Sequence, residues 1–478
     1  MPSTDEPCAD HGVEATGDRI EPTGADRGVA ARRDRAVRAA AEQGLLGPET
    51  PVAGLLDVTG VREAAAALRT AFDEVTADGT PVLHAFAVKA AALVPVVRLL
   101  ADEGLGCEVA SPGELALSRA AGVPASRTVL DSPAKTHGEL REALGLGIAV
   151  NADNPQELAR LDALFSAAGS PAPTGGASPV GLRVNPQIGG GSIGAMSTAT
   201  ATSKFGVALR DEGARAWVVR AFLDRPWLTR LHVHAGSQGM ALELMAQGVR
   251  ETYELAEEIN AAAGHRRIDT LDIGGGLPVD FTSDEPPAFA AYARLLRATV
   301  PGLFDGRYGL VTEFGRSLLA RSGLVLARVE YTKTAGGRPI AVTHAGAQLA
   351  TRTVFVPASW PLRVRAYNAK GRPKPGPAVA QDVAGPCCFA GDLVAENRAL
   401  PLLEAGDLTA LLDTGAYYFS NHFAYNSLPR PAVHGFAPDP SLPGGIRFAL
   451  VRPQQTPAEI VTESGEAQRE ALTDLRTG

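Results

Sequence analysis

Short apolar runs alternate with helix-length amphipathic stretches along most of this chain. From about residue 50 the runs are LLDVT, VLHAFAVK, CEVAS, TVLDS, IAVNA, VGLRVNP, TRLHVHAGS, DTLDIGGG and YGLVTEFG. Between them lie segments such as REAAAALRTAFDEV and GELREALGLG, whose apolar positions recur at helical spacing. Runs that are apolar on both faces, separated by helices, predict βα units and a buried parallel sheet. About eight units fit a closed (β/α)8 barrel. A doubly wound sheet is the alternative, but polar residues at so many strand ends favour the barrel.

After about Leu324 the pattern changes. VLARVEYTKT, RPIAVTHAG, LRVRAYN, GPAVAQDVAG, LTALLDTGAY and GIRFALVRP follow one another without crossover helices, which predicts a β domain. The expected division is a flexible tail over 1–45, with a short Ala/Arg helix over 31–45, and a barrel over 46–323. A β-rich domain over 324–455 takes a contribution from the N-terminal segment, and a polar tail follows over 456–478. Two inserts interrupt the barrel. The Pro/Gly/Ser stretch 166–179 reads as an exposed loop, and 189–203 follows a strand end, as a mobile lid or as filler.

Composition narrows the function. Among 478 residues 45% are hydrophobic and 21% charged, ordinary for a globular protein. A net charge of −8 gives no support to nucleic-acid binding. No apolar run reaches membrane-spanning length, and the polar N-terminus lacks the apolar region of a secretory signal. Four cysteines, two of them adjacent, do not make a disulfide framework and suit a reducing cytoplasm.

The candidate chemistry starts at Lys89, which ends an apolar strand. It either snorkels to solvent or is an amine desolvated to form a Schiff base. His234 and Ser237 follow another strand, and Gly274, Gly275 and Gly276 the next. Three glycines there make a phosphate cradle or simply a tight turn. VTEFGRS adds Glu313 and Arg316. A lysine anchor, a stacking histidine, a glycine cradle and an acid with an arginine together point to pyridoxal phosphate. No metal site is expected.

From Leu55 to Pro431 the chain resembles the fold-type III pyridoxal-phosphate decarboxylases of diaminopimelate, ornithine and arginine, with alanine racemase a distant relative. AFAVKA resembles that family's YAVKAN, CEVASPGEL its DVVSGGEL, and TEFGR its EPGR. SKFG, HVHAGSQ, GGGLP, GPCCFAGD and GAYYF with YN follow in the family's order. The resemblance implies that Lys89 carries the cofactor and His234 stacks on its ring. Ser237, Gly275, Gly276, Gly315, Arg316 and Tyr417 would hold the phosphate, with Arg183 and Glu108 near the cofactor. Cys388, rather than Cys387, would be the reactive cysteine, reaching into the neighbouring subunit of a homodimer. Glu313 beside the pyridine nitrogen would keep it protonated, which favours amino-acid decarboxylation over racemisation or epimerisation. A non-catalytic pyridoxal-phosphate carrier is a third reading, which Cys388 and the β domain argue against.

One departure concerns the substrate. Family members carry an acid after the reactive cysteine that receives a distal amine; here Phe389 stands there, and His344 replaces another aspartate. Arg352 matches the arginine that grips a distal carboxylate. Arg352, Phe389, Asp392 and Tyr417 are the expected substrate residues, with Asp392 or Glu396 able to replace the lost acid. The reading is an altered specificity pocket and a specialised pathway.

Overall fold

The structure, a computed structural model of the chain, describes residues 24–167 and 178–475. Most of the 166–179 insert therefore lies outside the described residues, as does the start of the expected tail.

Helix α1 (Gly24–Glu42) and strand β1 (Val52–Asp57) come first, followed by helix α2 (Val58–Asp73). The barrel then begins. Its strands are β2 (Val82–Ala87), β3 (Gly106–Val109), β4 (Thr128–Asp131), β5 (Ala149–Ala152) and β6 (Val180–Asn185). A two-residue strand β7 (Val207–Ala208) edges β6 before β8 (Leu228–His232), β9 (Thr270–Asp272) and β10 (Gly309–Thr312) complete the series. Among the described residues, the eight strands other than β7 pair in parallel, and β10 closes on β2.

Helices α3 (Val94–Asp102), α4 (Pro112–Ala120), α5 (His137–Leu146) and α6 (Pro155–Ala167) alternate with the first strands. Helices α7 (Ala214–Asp224), α8 (Leu242–Ala263) and α9 (Phe289–Thr299) accompany the later ones. Local sequence sets their ends. Thr136 and Glu139 form a reciprocal capping box on α5, and Gly147 closes it at φ +76°. Met245, Val249, Leu255 and Ile259 make the buried stripe of α8.

Beyond a one-turn helix α10 (Arg316–Leu319) the chain enters the second sheet. Strand β11 (Gly323–Ala335) pairs with β12 (Arg338–Thr343), and helix α11 (Ala347–Phe355) intervenes before β13 (Val364–Tyr367). Strands β14 (Ala378–Ala384), β15 (Leu393–Pro401), β16 (Leu408–Leu412), β17 (Ala432–Pro438) and β18 (Ile446–Arg452) follow, with helix α12 (Pro457–Glu463) after them. The sheet order is β15-β14-β12-β11-β1-β17-β18, with β16 joining β11 to β13.

Three expectations need correcting. LLDVT is not a barrel strand: β1 lies inside the second sheet, antiparallel to β11 and parallel to β17. Removing it leaves the eight strands that a barrel requires. The stretch 24–42 is not a loose tail. Ala36, Val37, Ala39 and Ala40 of α1 are fully buried with Leu55, Leu324, Leu326 and Phe436, and Arg32 binds Asp57 at 2.7 Å. Small alanines let the helix sit close on the sheet, which composition alone disguised as a solvated segment. Nor is the chain beyond 455 simply frayed, because Thr456 and Glu459 box-cap α12.

Candidate active site

The polar strand ends converge at one mouth of the barrel, around a cavity of about 370 Å³. Lys89, Arg183, His234, Ser237, Gly276, Glu313, Gly315, Arg316, Arg352 and Tyr417 all line it. These come from five barrel strand ends and from two segments of the second domain.

Lys89 lies in the single turn after β2, and its Nζ is 2.5 Å from Glu108 Oε2. The lysine side chain is 46% exposed into the cavity, whereas Glu108 is fully buried. Burial disfavours the ammonium, but Glu108, Tyr417 and Glu313 outweigh it and hold Lys89 above its ordinary pKa. Burial in turn raises Glu108, against the pull of Lys89. Lys204 also lines the cavity, over the Phe205 ring at 5.0 Å. Lys135 is fully buried and bonded to Ser132 O, Asn151 O and Glu157, so it is a framework residue.

His234 Nδ1 accepts the N–H of Gly275 at 3.0 Å. Burial, reinforced by Arg183 and Lys89, keeps this imidazole neutral, its pKa well below the usual value. The amide of Gly275 is thus committed to His234, while Gly276 reaches the cavity. Both glycines are demanded by space. A Cβ at Gly275 would meet Glu313 O at 2.0 Å, and one at Gly276 would meet Gly236 O at 1.8 Å. Gly276 also has φ +95°, which other residues rarely adopt.

The insert 189–203 forms one wall. Ala195, Met196 and Thr198 line the cavity, and Ser197 bridges to Gly236. Thr198 Oγ1 donates to His234 O, which ties the wall to this histidine.

Arg316 and Arg352 form the opposite end. Arg316 stacks over Trp360 and Tyr417 at 4.7 and 4.6 Å, and Arg352 over the same rings at 5.0 and 4.8 Å. Arg316 Nε and Nη1 and Arg352 Nη1 are buried without acceptors. Burial pushes Arg316 down to about 10. A buried Arg316 and a half-buried Arg352, each with a free donor among the described residues, are what a phosphate or carboxylate requires. Tyr417 sits at φ +68°, and its N–H donates to Ala90 O at 2.8 Å. A non-glycine residue in that region is strained, and here the strain seats the ring between the arginines and the Lys89 turn.

The residues present fit pyridoxal phosphate. A lysine, a neutral histidine, a buried acid, a small-residue turn and arginines that have no acid partner among the described residues meet in one cavity. The bound cofactor supplies an electron sink for the substrate α-carbon.

Sequence reasoning missed the layer beneath. Asp131, Asn151, His232 and Asp272 are buried at the ends of β4, β5, β8 and β9. Arg183 Nη1 binds Asp131 Oδ2 at 3.1 Å and stacks over Phe205 at 4.3 Å. The motif HVHAGSQ carried the signal, since its first histidine lies two residues from the second and shares its strand face.

Other expected residues lie elsewhere. Cys388 is exposed and does not line the cavity of its own chain, whereas Cys387 is buried with Sγ 3.6 Å from Gln348 Oε1. Asp392 must be corrected as a substrate residue. It is buried, and its two oxygens accept the N–H groups of Ala347 at 2.6 Å and Cys387 at 2.7 Å. Glu396 is largely exposed and pairs with Arg338. Phe389 stacks face to face on Phe355 at 5.5 Å and meets Tyr425 edge-on at 5.3 Å.

Comparison with known proteins agrees with this geometry. The family described as "Pyridoxal-dependent decarboxylase, pyridoxal binding domain" matches residues 59–320. The chain is 34% identical over 355 residues to a diaminopimelate decarboxylase of Pseudomonas aeruginosa, covering 74% of this chain and 81% of that one. It is 30% identical over 389 residues to one from Zymomonas mobilis, covering 81% and 86%. A crystal structure of diaminopimelate decarboxylase from Helicobacter pylori complexed with L-lysine superposes with a TM-score of 0.75 at 24% identity, covering 89% and 100%. With its alanine racemase-like barrel, the chain therefore belongs to the fold-type III pyridoxal-phosphate-dependent decarboxylases. It is a pyridoxal-phosphate-dependent carboxy-lyase acting on an amino acid.

Proposed function

We propose that this enzyme decarboxylates an amino acid whose far end carries a carboxylate or another acceptor rather than an ammonium group. The observation that carries the reading is the setting of Phe389. It occupies the position where relatives place an amine-binding acid, and it stacks in an aromatic cluster with Phe355 and Tyr425. The two carboxylates that could substitute are committed, Asp392 to backbone amides and Glu396 to Arg338. An ammonium group placed there would lose its hydration without a counter-charge. Arg352, free of an acid partner in the cavity, supports the carboxylate preference.

In this reading Lys89 holds the cofactor, and Glu108 keeps the lysine placed. Glu313 faces the ring nitrogen and His234 the ring face. Arg316, Ser237, Gly276 and Tyr417 hold the phosphate, while Arg352 grips the substrate. Cys388 delivers a proton to the α-carbon in the neighbouring subunit of a homodimer. The setting is cytoplasmic, where its thiol stays reduced, and the departures from relatives fit a specialised branch of amino-acid metabolism.

The test is a panel of amino acids scored for CO₂ release by the wild type and by Phe389→Glu. The wild type should prefer monoamino acids with an acidic far end, and the variant should move toward diaminopimelate. A wild type that decarboxylates meso-diaminopimelate or lysine better than any monoamino acid would sink the proposal.

A further inference from the structure

Beneath the cavity lies a fully buried histidine, His232, in a chain of polar contacts. Asn151 Nδ2 is 3.0 Å from Asp272 Oδ2 and 3.1 Å from His232 Nδ1. A carboxylate can only accept, so Asp272 fixes which end of the Asn151 amide is the donor. The same NH₂ then donates its second hydrogen to His232 Nδ1. With Nδ1 accepting, the proton of the neutral imidazole must sit on Nε2. Nε2 lies 3.5 Å from Glu313 Oε2 without yet forming a hydrogen bond to it, and among the described residues neither Nε2 nor Glu313 Oε1 has a hydrogen-bond partner.

From this geometry we infer that His232 is a positioning residue for Glu313. Its Nε2–H is held, through Asn151 and Asp272, on the side facing Glu313 Oε2, leaving Oε1 for the cofactor ring nitrogen. The contact tightens when the ring is seated, as catalytic hydrogen bonds commonly do. The inference rests on the reading of Glu313 given above.

Such a donor is needed. Glu313 is buried, and Asp272, Asp131 and Glu108 repel its charge, so its pKa stands well above normal. Lys89 alone opposes them among its strongest neighbours. The groups facing His232 are Asp131 on β4, Asn151 and Asp153 on or beside β5, Arg183 on β6, Asp272 on β9 and Glu313 after β10, with His234 two residues on. Asp131 Oδ2, at 3.6 Å from Nδ1, is already taken by Arg183. Burial, reinforced by Arg183, holds the imidazole below its ordinary pKa despite the three aspartates, so it donates without carrying charge.

The test is a pH titration of the visible band of the cofactor-loaded enzyme. If Glu313 loses its donor it keeps a proton, and the ring nitrogen loses its own. The net charge is unchanged, but the ring, having lost its proton, draws fewer electrons from the Lys89 nitrogen conjugated with it, which then holds its proton to higher pH. His232→Phe should raise the midpoint of the band by about one pH unit. His232→Gln, which restores an N–H donor, should return it toward the wild type. His232→Phe should also lower kcat by roughly 10- to 100-fold with little change in KM. Asn151→Ala, which frees the imidazole without touching the cavity, should move the midpoint the same way, and it decides the matter should His232→Phe fail to load. Glu313→Gln is the control. If it shifts the band while His232→Phe and Asn151→Ala do not, the role of His232 is wrong. If Glu313→Gln itself shifts nothing, the assignment of Glu313 falls instead, and this inference with it.

Discussion

Arg316 and Arg352 stack on the same two rings, Tyr417 and Trp360, and neither has a carboxylate partner in the cavity. Like charges tolerate that proximity only where an anion is to be bound between or beside them. The two should differ in what they hold. Arg316→Ala should weaken uptake of pyridoxal phosphate by the apoenzyme roughly 10- to 100-fold, the loss of charge-assisted hydrogen bonds. Uptake of pyridoxal, which lacks the phosphate, should barely change. Arg352→Ala should instead raise KM for the amino acid more than it lowers kcat.

Glu108 sets the state of Lys89. Without its charge, only Tyr417 and Glu313 remain to oppose burial, and the pKa of the lysine falls. Glu108→Gln should therefore raise the free-amine fraction at neutral pH. The apoenzyme of this variant should capture cofactor several-fold faster at about pH 7, with the difference fading as pH rises. Stopped-flow growth of the visible band measures it.

Cys388 is exposed and outside the cavity of its own chain, which fits a site completed by a neighbouring subunit. Mixing Lys89→Ala and Cys388→Ala chains should then recover activity. Random exchange makes half of the dimers hybrid, each with one intact site, so recovery should approach about a quarter of wild-type activity. Full activity of a monomer in the ultracentrifuge would exclude this assembly.

Asp392 joins the Cys387 loop to the start of α11 through two backbone amides. Asp392→Ala leaves both donors buried without acceptors and should cost about 2–4 kcal/mol. Melting temperature should fall while the order of preferred substrates stays the same. A changed preference at unchanged stability would make Asp392 a substrate ligand after all.

His84 is buried on β2 with Nδ1 2.8 Å from Thr312 Oγ1. Burial, with Arg69 adding to it, lowers its pKa from 6.5 to about 4. Between those values the unfolded chain binds a proton that the folded chain refuses. Stability is therefore full above about pH 6.5 and declines as pH falls toward 4, by up to about 3 kcal/mol. His84→Gln should flatten that limb, seen as a smaller difference between urea midpoints at high and low pH.

How much of this was legible in the chain depends on where each signal lay. The barrel was readable because its strands are buried on both faces, and period and length alone mark such runs. Strand β1 carries the same signature as a barrel strand, and only its partners β11 and β17, far off in sequence, place it elsewhere. Helix α11 hid inside THAGAQLATR, where motif matching masked a helical period. Lys89, His234 and Glu313 stood out because a polar residue ending an apolar strand is conspicuous. Asp131, Asn151, His232 and Asp272 lie at strand ends in the same way, yet their chemistry exists only in the pairing of four separate strands. Asp392 looked like a ligand because a carboxylate near a motif is ambiguous until the donors it accepts from are counted.

The placement of β1 has a consequence for how the chain is made. This strand is translated before the barrel, but both of its neighbours, β11 and β17, are translated after it. Its apolar face and unpaired edges must wait through the synthesis of every βα unit. Folding therefore cannot proceed strictly from the first residue onward. The second domain closes only after β17 has been made, and with it arrive Arg352 and Tyr417, so a nascent chain that ends at the barrel holds no finished site.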